Sequence, residues 1–218
     1  KADVLRDVLG SQPLSSIPLR WGLTGTIPKE EADANKIICN VGPVIYTIAA
    51  KDLQDKGILS DCKINILQLE SKLKFTSYSD EMDWLVMDKK RVQYIAKLIE
   101  NMANQNGNTL VLVSRVETGN ILLEELNLPK SQFVYGNTAK KDRETRYNEI
   151  NYLDNNILIA TYGVASTGIS ISRLFNVVLL EPGKSFIRAI QSIGRGLRKA
   201  KDKDFVNIYD ICGTNKYS

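Results

Sequence analysis

Ile157-Leu-Ile-Ala-Thr161-Tyr-Gly-Val-Ala-Ser166-Thr167-Gly168-Ile169-Ser170 opens on four consecutive apolar residues and then turns abruptly to hydroxyls and glycines. An apolar run without alternation reads as a strand buried on both faces. Thr109-Leu-Val-Leu-Val-Ser114 and Asn176-Val-Val-Leu-Leu180 have the same character. Helical patterns lie between the runs. Residues 88–105 carry Val92, Ile95, Ala96, Ile99, Met102 and Ala103 at helical spacing and stop near Gly107. Further helices are expected at 51–56, 118–127, 139–153 and 185–199, and further strands at 62–69, 132–135 and 205–209. Buried strands alternating with helices predict an α/β fold, a doubly wound parallel sheet covered on both faces.

In such sheets ligands gather at the carboxyl ends of the strands. Ser114 and Arg115 follow the first apolar run, and Gly136 follows Tyr135. Thr161 ends the quoted strand, ahead of Ser166 to Ser170, and Glu181-Pro182-Gly183-Lys184 follows Leu180. Hydroxyls, glycines and backbone donors at one edge suit phosphate oxygens.

The expected helix 185–199 carries Gln191-Ser-Ile-Gly194-Arg195-Gly-Leu-Arg198. Residues i and i+3 are neighbours on a helix, so Arg195 and Arg198 would share a face. A guanidinium pair suits a phosphate chain, since Arg stays charged and donates in a planar fork. A plain basic solvated helix is the alternative. Lys140, Lys141, Arg143 and Arg146 could likewise flank a polyanion. Asp142, Glu144 and Glu149 dilute that face, which favours a solvated helix.

Composition narrows the chemistry. Among 218 residues there is no histidine, which excludes Ser-His and Cys-His catalysis and histidine-ligated metal within this chain. The net charge of +4 permits a polyanionic partner without demanding one. Cys39, Cys62 and Cys212 form no C-x-x-C pair and read as reduced thiols. No apolar run approaches the roughly 18 residues of a membrane span, so the expected setting is the cytoplasm. Residues 1–50 read as a short helix over 2–10, a strand over 19–24, a loop and a second helix near 29–36. That is too little to bury a core. It is expected to be the last piece of a domain lying upstream of Lys1, with residues 51–218 as the next domain.

These residues resemble a family. Gln191-x-x-Gly194-Arg195-x-x-Arg198 is similar to motif VI of superfamily 2 helicases. Ile157 to Thr161 with Ser166 to Ser170 is similar to motif V, and Thr109 to Arg115 to motif IV. Gly22-Leu-Thr24-Gly-Thr26-Ile-Pro28 resembles motif III at a suitable distance upstream. The wording is most like the UvsW-like phage recombination helicases.

The resemblance implies two RecA-like lobes with ATP between them. Residues 51–218 would be the second lobe and 1–50 the remnant of the first. ATP and Mg2+ would be the cofactors, the metal held mainly by the first lobe. Its phosphate loop and acidic metal motif are expected upstream, so this chain alone would turn ATP over poorly. Arg195 and Arg198 would be arginine fingers, with Gln191 in their network. Gly168, Ile169, Ser170 and Gly194 would shape the nucleotide side, Ser170 standing where many relatives have Asp. Thr161, Ser114, Arg115 and Gly136 would grip the nucleic-acid backbone, Arg115 being equally suited to a surface salt bridge. Thr24 and Thr26 would couple nucleotide state to the lobe interface. The expected partner is DNA, forked or branched on the UvsW likeness, with no membrane. An RNA-acting motor and a stand-alone binding or regulatory module without ATPase activity stay open as alternatives.

Overall fold

The computed structural model of the chain describes residues 7–10, 16, 18–25, 27–28, 30–168, 171–181 and 198–215, with backbone alone at 166–168. Packing divides the chain into two units, residues 1–52 and 53–218.

The first unit contains helix α1 (Glu31–Val41), and none of its described residues is buried. Arg20 steadies it, donating through Nη1 to the Asn40 carbonyl at 3.0 Å and through Nη2 to the Leu9 carbonyl at 3.3 Å. Residues 19–24 have no regular secondary structure and join no ladder among the described residues, contrary to the strand expected there. A strand is defined by its partner, and the described residues of this unit form none. Leu23 is 99% exposed and Trp21 72%, so these apolar residues that suggested a strand are not buried. Helix α2 (Ala50–Asp55) spans the boundary between the units.

The second unit holds a six-stranded, all-parallel sheet in the order β1-β6-β5-β2-β4-β3. Its strands are β1 (Asp61–Leu69), β2 (Thr109–Val113), β3 (Ser131–Val134), β4 (Ile157–Thr161), β5 (Asn176–Leu179) and β6 (Phe205–Gly213). The helices are α3 (Tyr78–Met87), α4 (Lys89–Asn106), α5 (Val116–Leu126), α6 (Lys140–Tyr152) and α7 (Tyr162–Gly168). The doubly wound expectation holds, because alternate residues of the central strands feed separate cores. Leu110, Leu112, Leu158, Ala160 and Val177 pack with Tyr147 and Ile150 of α6 and with Val164 and Ala165 of α7. Val111, Val113, Ile157, Ile159 and Val178 pack with Ile95 and Ile99 of α4 and with Leu122 and Leu126 of α5. All five residues of β2 are buried, which is why its sequence shows no alternation.

Local signals explain most helix limits. Ser77 and Asp88 cap α3 and α4 by accepting the amides of Asp80 and Arg91 at 3.1 and 2.7 Å. Helix α5 ends at Asn127 in the left-handed region, φ 42°, a conformation Asn tolerates better than most residues. Helix α3 was not foreseen: Glu81, Met82, Leu85 and Val86 are its buried residues, a face too narrow to stand out as a stripe.

Of the helix expected at 185–199, residues 182–197 lie outside the described residues. Its last residues are not helical. Arg198 forms an antiparallel bridge with Leu59, and Ala200 one with Lys203. The Arg198 carbonyl accepts from Lys203 Nζ at 2.8 Å and from Ser60 Oγ at 3.4 Å, contacts that draw the backbone out of a helical course.

Lys203 is 2% exposed, and its ammonium also donates to the Ser172 carbonyl at 3.1 Å. Burial lowers its pKa to about 8, against a partial lift from the Asp202 charge. The unfolded chain keeps this proton up to the ordinary lysine range, while the folded chain gives it up near 8. Between those values the unfolded state binds more protons, so this group adds stability as pH rises. Denaturant titrations from pH 7.5 to 9.5 are expected to show the wild type gaining on Lys203→Met. A pH-independent difference would contradict the burial effect.

Candidate nucleotide and nucleic-acid interface

The parallel register sets the C-terminal edge of the sheet. Val113 pairs with Thr161, Leu112 with Ala160 and Leu179, and Val134 with Ala160. Neighbouring strands lie about 4.8 Å apart. Ser114 and Thr161, distant in sequence, therefore leave the sheet side by side. Ser114 is exposed and Thr161 half-buried.

Gly136 is exposed in the turn after β3, where Thr138 Oγ1 accepts the Tyr135 amide at 3.1 Å. A Cβ at Gly136 would meet nothing within 4 Å, so packing does not demand glycine there. Thr24 is exposed in the first unit, and Thr26 lies outside the described residues.

Arg115 makes a side-chain ion pair with Asp83 of α3 at 2.6 Å, and that hydrogen bond raises its pKa. Both partners are substantially exposed, 38% and 53%, so the pair contributes little to stability. The backbone amides of Ser114 and Arg115 donate to Glu181 Oε2, at 2.5 and 3.3 Å. Thr118 Oγ1 donates to Glu181 Oε1. Arg91 lies close enough to feel this carboxylate. Burial lowers the Arg91 pKa, and the charges of Glu181 and Asp88 partly restore it. Its guanidinium is anchored on the Leu85 carbonyl.

Tyr162, directly after Thr161, is buried and donates to the Glu181 carbonyl at 3.2 Å. Burial pushes its hydroxyl well above the ordinary tyrosine range, helped by the charges of Asp210 and Glu181. Asp210, paired with Leu179 in the ladder, has its carboxyl pushed up by burial.

The ladder thus brings together Ser114, Arg115 and Thr161. Gly136 lies at the same edge beyond β3. Ile169, Ser170, Gln191, Gly194 and Arg195 lie outside the described residues, and Gly168 is described as the backbone end of α7. Arg198 is placed by its carbonyl contacts and its bridge to Leu59. Helix α7 occupies a stretch read as loop. Glu181, Thr118 and Tyr162 were not singled out from sequence. The one signal for Glu181 was an acidic residue ending an apolar strand. A separate groove of about 590 Å3 runs along β3, lined by Leu123, Phe133, Tyr135 and Arg146 among others, and contains none of Ser114, Arg115, Gly136 and Thr161.

No helix among the described residues is long and apolar enough to cross a membrane. The family profile described as helicase conserved C-terminal domain matches residues 90–200. The chain is 31% identical over 210 residues to the ATP-dependent DNA helicase uvsW of Enterobacteria phage T4, covering 91% of this chain and 41% of that protein. The crystal structure of T4 UvsW matches with a TM-score of 0.60 and 32% identity, over 70% of this chain and 33% of that chain. A fragment of a putative HsdR subunit of a type I restriction enzyme from Vibrio vulnificus YJ016 matches with a TM-score of 0.68 and 22% identity, over 85% of this chain and 38% of that chain. At that identity the second likeness speaks for the fold alone. The chain spans 41% of the length of its phage T4 relative. The profile match covers motifs IV to VI as read above, on an all-parallel sheet of the RecA-like kind, and the chain belongs to the helicase conserved C-terminal domain family, as a UvsW-like member of superfamily 2.

Proposed function

We propose that this chain is the second lobe, preceded by the last piece of the first, of an ATP-dependent DNA helicase or translocase acting on forked or branched DNA. One observation carries the reading. In the Val113–Thr161 register the strand-end residues read as motifs IV and V are neighbours at the C-terminal edge, where parallel sheets commonly bind ligands.

Ser114, Thr161, Arg115 and the turn at Gly136 grip the sugar-phosphate backbone. Hydroxyl, amide and guanidinium donors hold phosphate without reading bases. Arg195 and Arg198, supported by Gln191, stabilise charge on the transferring phosphoryl group. Gly168, Ile169, Ser170 and Gly194 shape the same side. ATP supplies the driving reaction, with Mg2+ held by the first lobe, outside these 218 residues. Thr24 and Thr26 relay the nucleotide state between lobes. Motif III lies in the first unit, which lacks a buried core among its described residues, as expected of the end of a larger lobe. The host cytoplasm is the setting on this reading.

The test is ATP turnover by the full-length protein with forked DNA, duplex DNA and RNA. Forked DNA is expected to stimulate most. Stimulation by RNA alone would move the substrate class, and binding without turnover would favour a regulatory module. Backbone contacts also predict steep salt dependence and little base preference. Thr161→Ala is expected to weaken DNA affinity about fivefold, alike across sequences, for the loss of one half-exposed hydroxyl contact. Fluorescence anisotropy on unrelated oligonucleotides measures it, and a loss confined to one sequence would contradict the backbone role.

A further inference from the structure

Glu181 has no role in the functional reading above, yet it is the most heavily bonded carboxylate at the C-terminal edge. It is 8% exposed at the end of β5. A buried carboxylate is costly unless its lone pairs are used. Here Oε2 accepts the Ser114 amide at 2.5 Å and the Arg115 amide at 3.3 Å, and Oε1 accepts the Thr118 hydroxyl. Helix α5 needs such a partner. Its N-cap is Arg115, whose side chain makes no capping bond. The cap arrives instead from another strand, and its negative charge lies at the positive end of the helix.

The same residue reaches a second segment. Its carbonyl accepts the Tyr162 hydroxyl at 3.2 Å, and Tyr162 begins α7 directly after Thr161. Glu181 also opens the stretch of chain that continues to Gln191, Arg195 and Arg198. One residue therefore bonds the segment after β2, bonds the segment after β4, and belongs to the segment after β5.

We propose that Glu181 is a positioning residue that ties the segment after β2 to the segment after β4, so that nucleic acid held at Ser114 and Thr161 sits in the register that stimulates turnover. The inference rests on the motor reading given above. The carboxylate bonds to the Ser114 and Arg115 amides and the Thr118 hydroxyl are charge-assisted, and the Tyr162 hydroxyl on the Glu181 backbone carbonyl completes the tie to the segment after β4.

Glu181→Gln tests this in the full-length protein. It keeps the shape, removes the charge and replaces one acceptor oxygen with an NH2 group, leaving a single carbonyl oxygen to serve the Ser114 and Arg115 amides or the Thr118 hydroxyl. ATP turnover is measured with and without saturating forked DNA, together with the DNA concentration giving half-stimulation. The ratio of stimulated to unstimulated turnover is expected to fall about tenfold, the scale of one charged hydrogen bond. The half-stimulating concentration is expected to rise. Tyr162→Phe severs only the carbonyl contact and keeps the ring in the core. Its ratio is expected to fall about threefold, and it decides the matter should Glu181→Gln not fold. If the unsubstituted protein is stimulated and folded variants keep its ratio, the positioning role is overturned even where their melting temperature drops. If the unsubstituted protein shows no stimulation, the motor reading fails and takes this inference with it.

Discussion

Arg198→Ala in the full-length protein is expected to lower ATP turnover about 10³-fold or more while DNA affinity stays within about threefold, the range associated with an arginine acting on a transferring phosphoryl group. Steady-state turnover and DNA anisotropy on one preparation measure both quantities. The substitution is well suited to the question because the backbone at this position is held by contacts the side chain does not make. Lys203 Nζ and Ser60 Oγ donate to the Arg198 carbonyl, and Leu59 bridges the same residue. These contacts survive truncation at Cβ, so the loss reports chemistry and not local unfolding. Arg198→Lys should recover only part of the rate, since a point charge does not reproduce the planar fork. Turnover unchanged by Arg198→Ala would remove this residue from the catalytic assignment.

Asn108→Ala is expected to cost about 3 kcal/mol of folding stability, the sum of several buried polar groups left without partners. Asn108 is fully buried at the start of β2. Its Nδ2 donates to the carbonyls of Ile150 at 2.8 Å and Leu153 at 2.9 Å, and its Oδ1 accepts the Asn156 amide at 2.9 Å. The first two are carbonyls at the C-terminal end of α6, which have no onward helical partner. The third belongs to the residue before β4, just past Asn155 in the left-handed region at φ 59°. One amide therefore joins the starts of β2 and β4 to the end of α6. At about 3 °C per kcal/mol for a chain of this size, the melting temperature should drop about 9 °C. Asn108→Asp should be worse, because it sets a carboxylate against two carbonyls. Calorimetry that found Asn108→Ala within about 0.5 kcal/mol of wild type would refute the network's importance.

The strands of the central sheet were legible because burial on both faces removes polar residues from them. Leu110 to Val113 and Ile157 to Ala160 are entirely enclosed, and that enclosure is written as an unbroken apolar run. Helix α4 was legible because Val92, Ile95, Ala96, Ile99, Met102 and Ala103 form a single face. Thr161, Ser114, Arg115 and Gly136 could be named because they follow those strands, and strand ends are where parallel sheets present ligand groups. The strand at 19–24 was misread since apolar residues alone do not supply a pairing partner. The C-terminal limit of the helix at 185–199 was misread because Lys203, Ser60 and Leu59 bond the Arg198 backbone from outside any local pattern. Glu181 was noted only as one of the residues following a strand, and Asn108 was not singled out.

The division has a physical basis. Hydrophobic periodicity is a property of near neighbours in the chain, so the sequence by itself determined the class of fold and most of its elements. The strand order β1-β6-β5-β2-β4-β3 depends on which chain segments meet across dozens of residues, and only the tertiary structure decided it. The same holds for the carboxylate of Glu181 lying on the amides of Ser114 and Arg115, more than sixty positions away. A buried polar group takes whichever partner the packed fold brings within hydrogen-bond reach, and nothing in its local sequence encodes that partner.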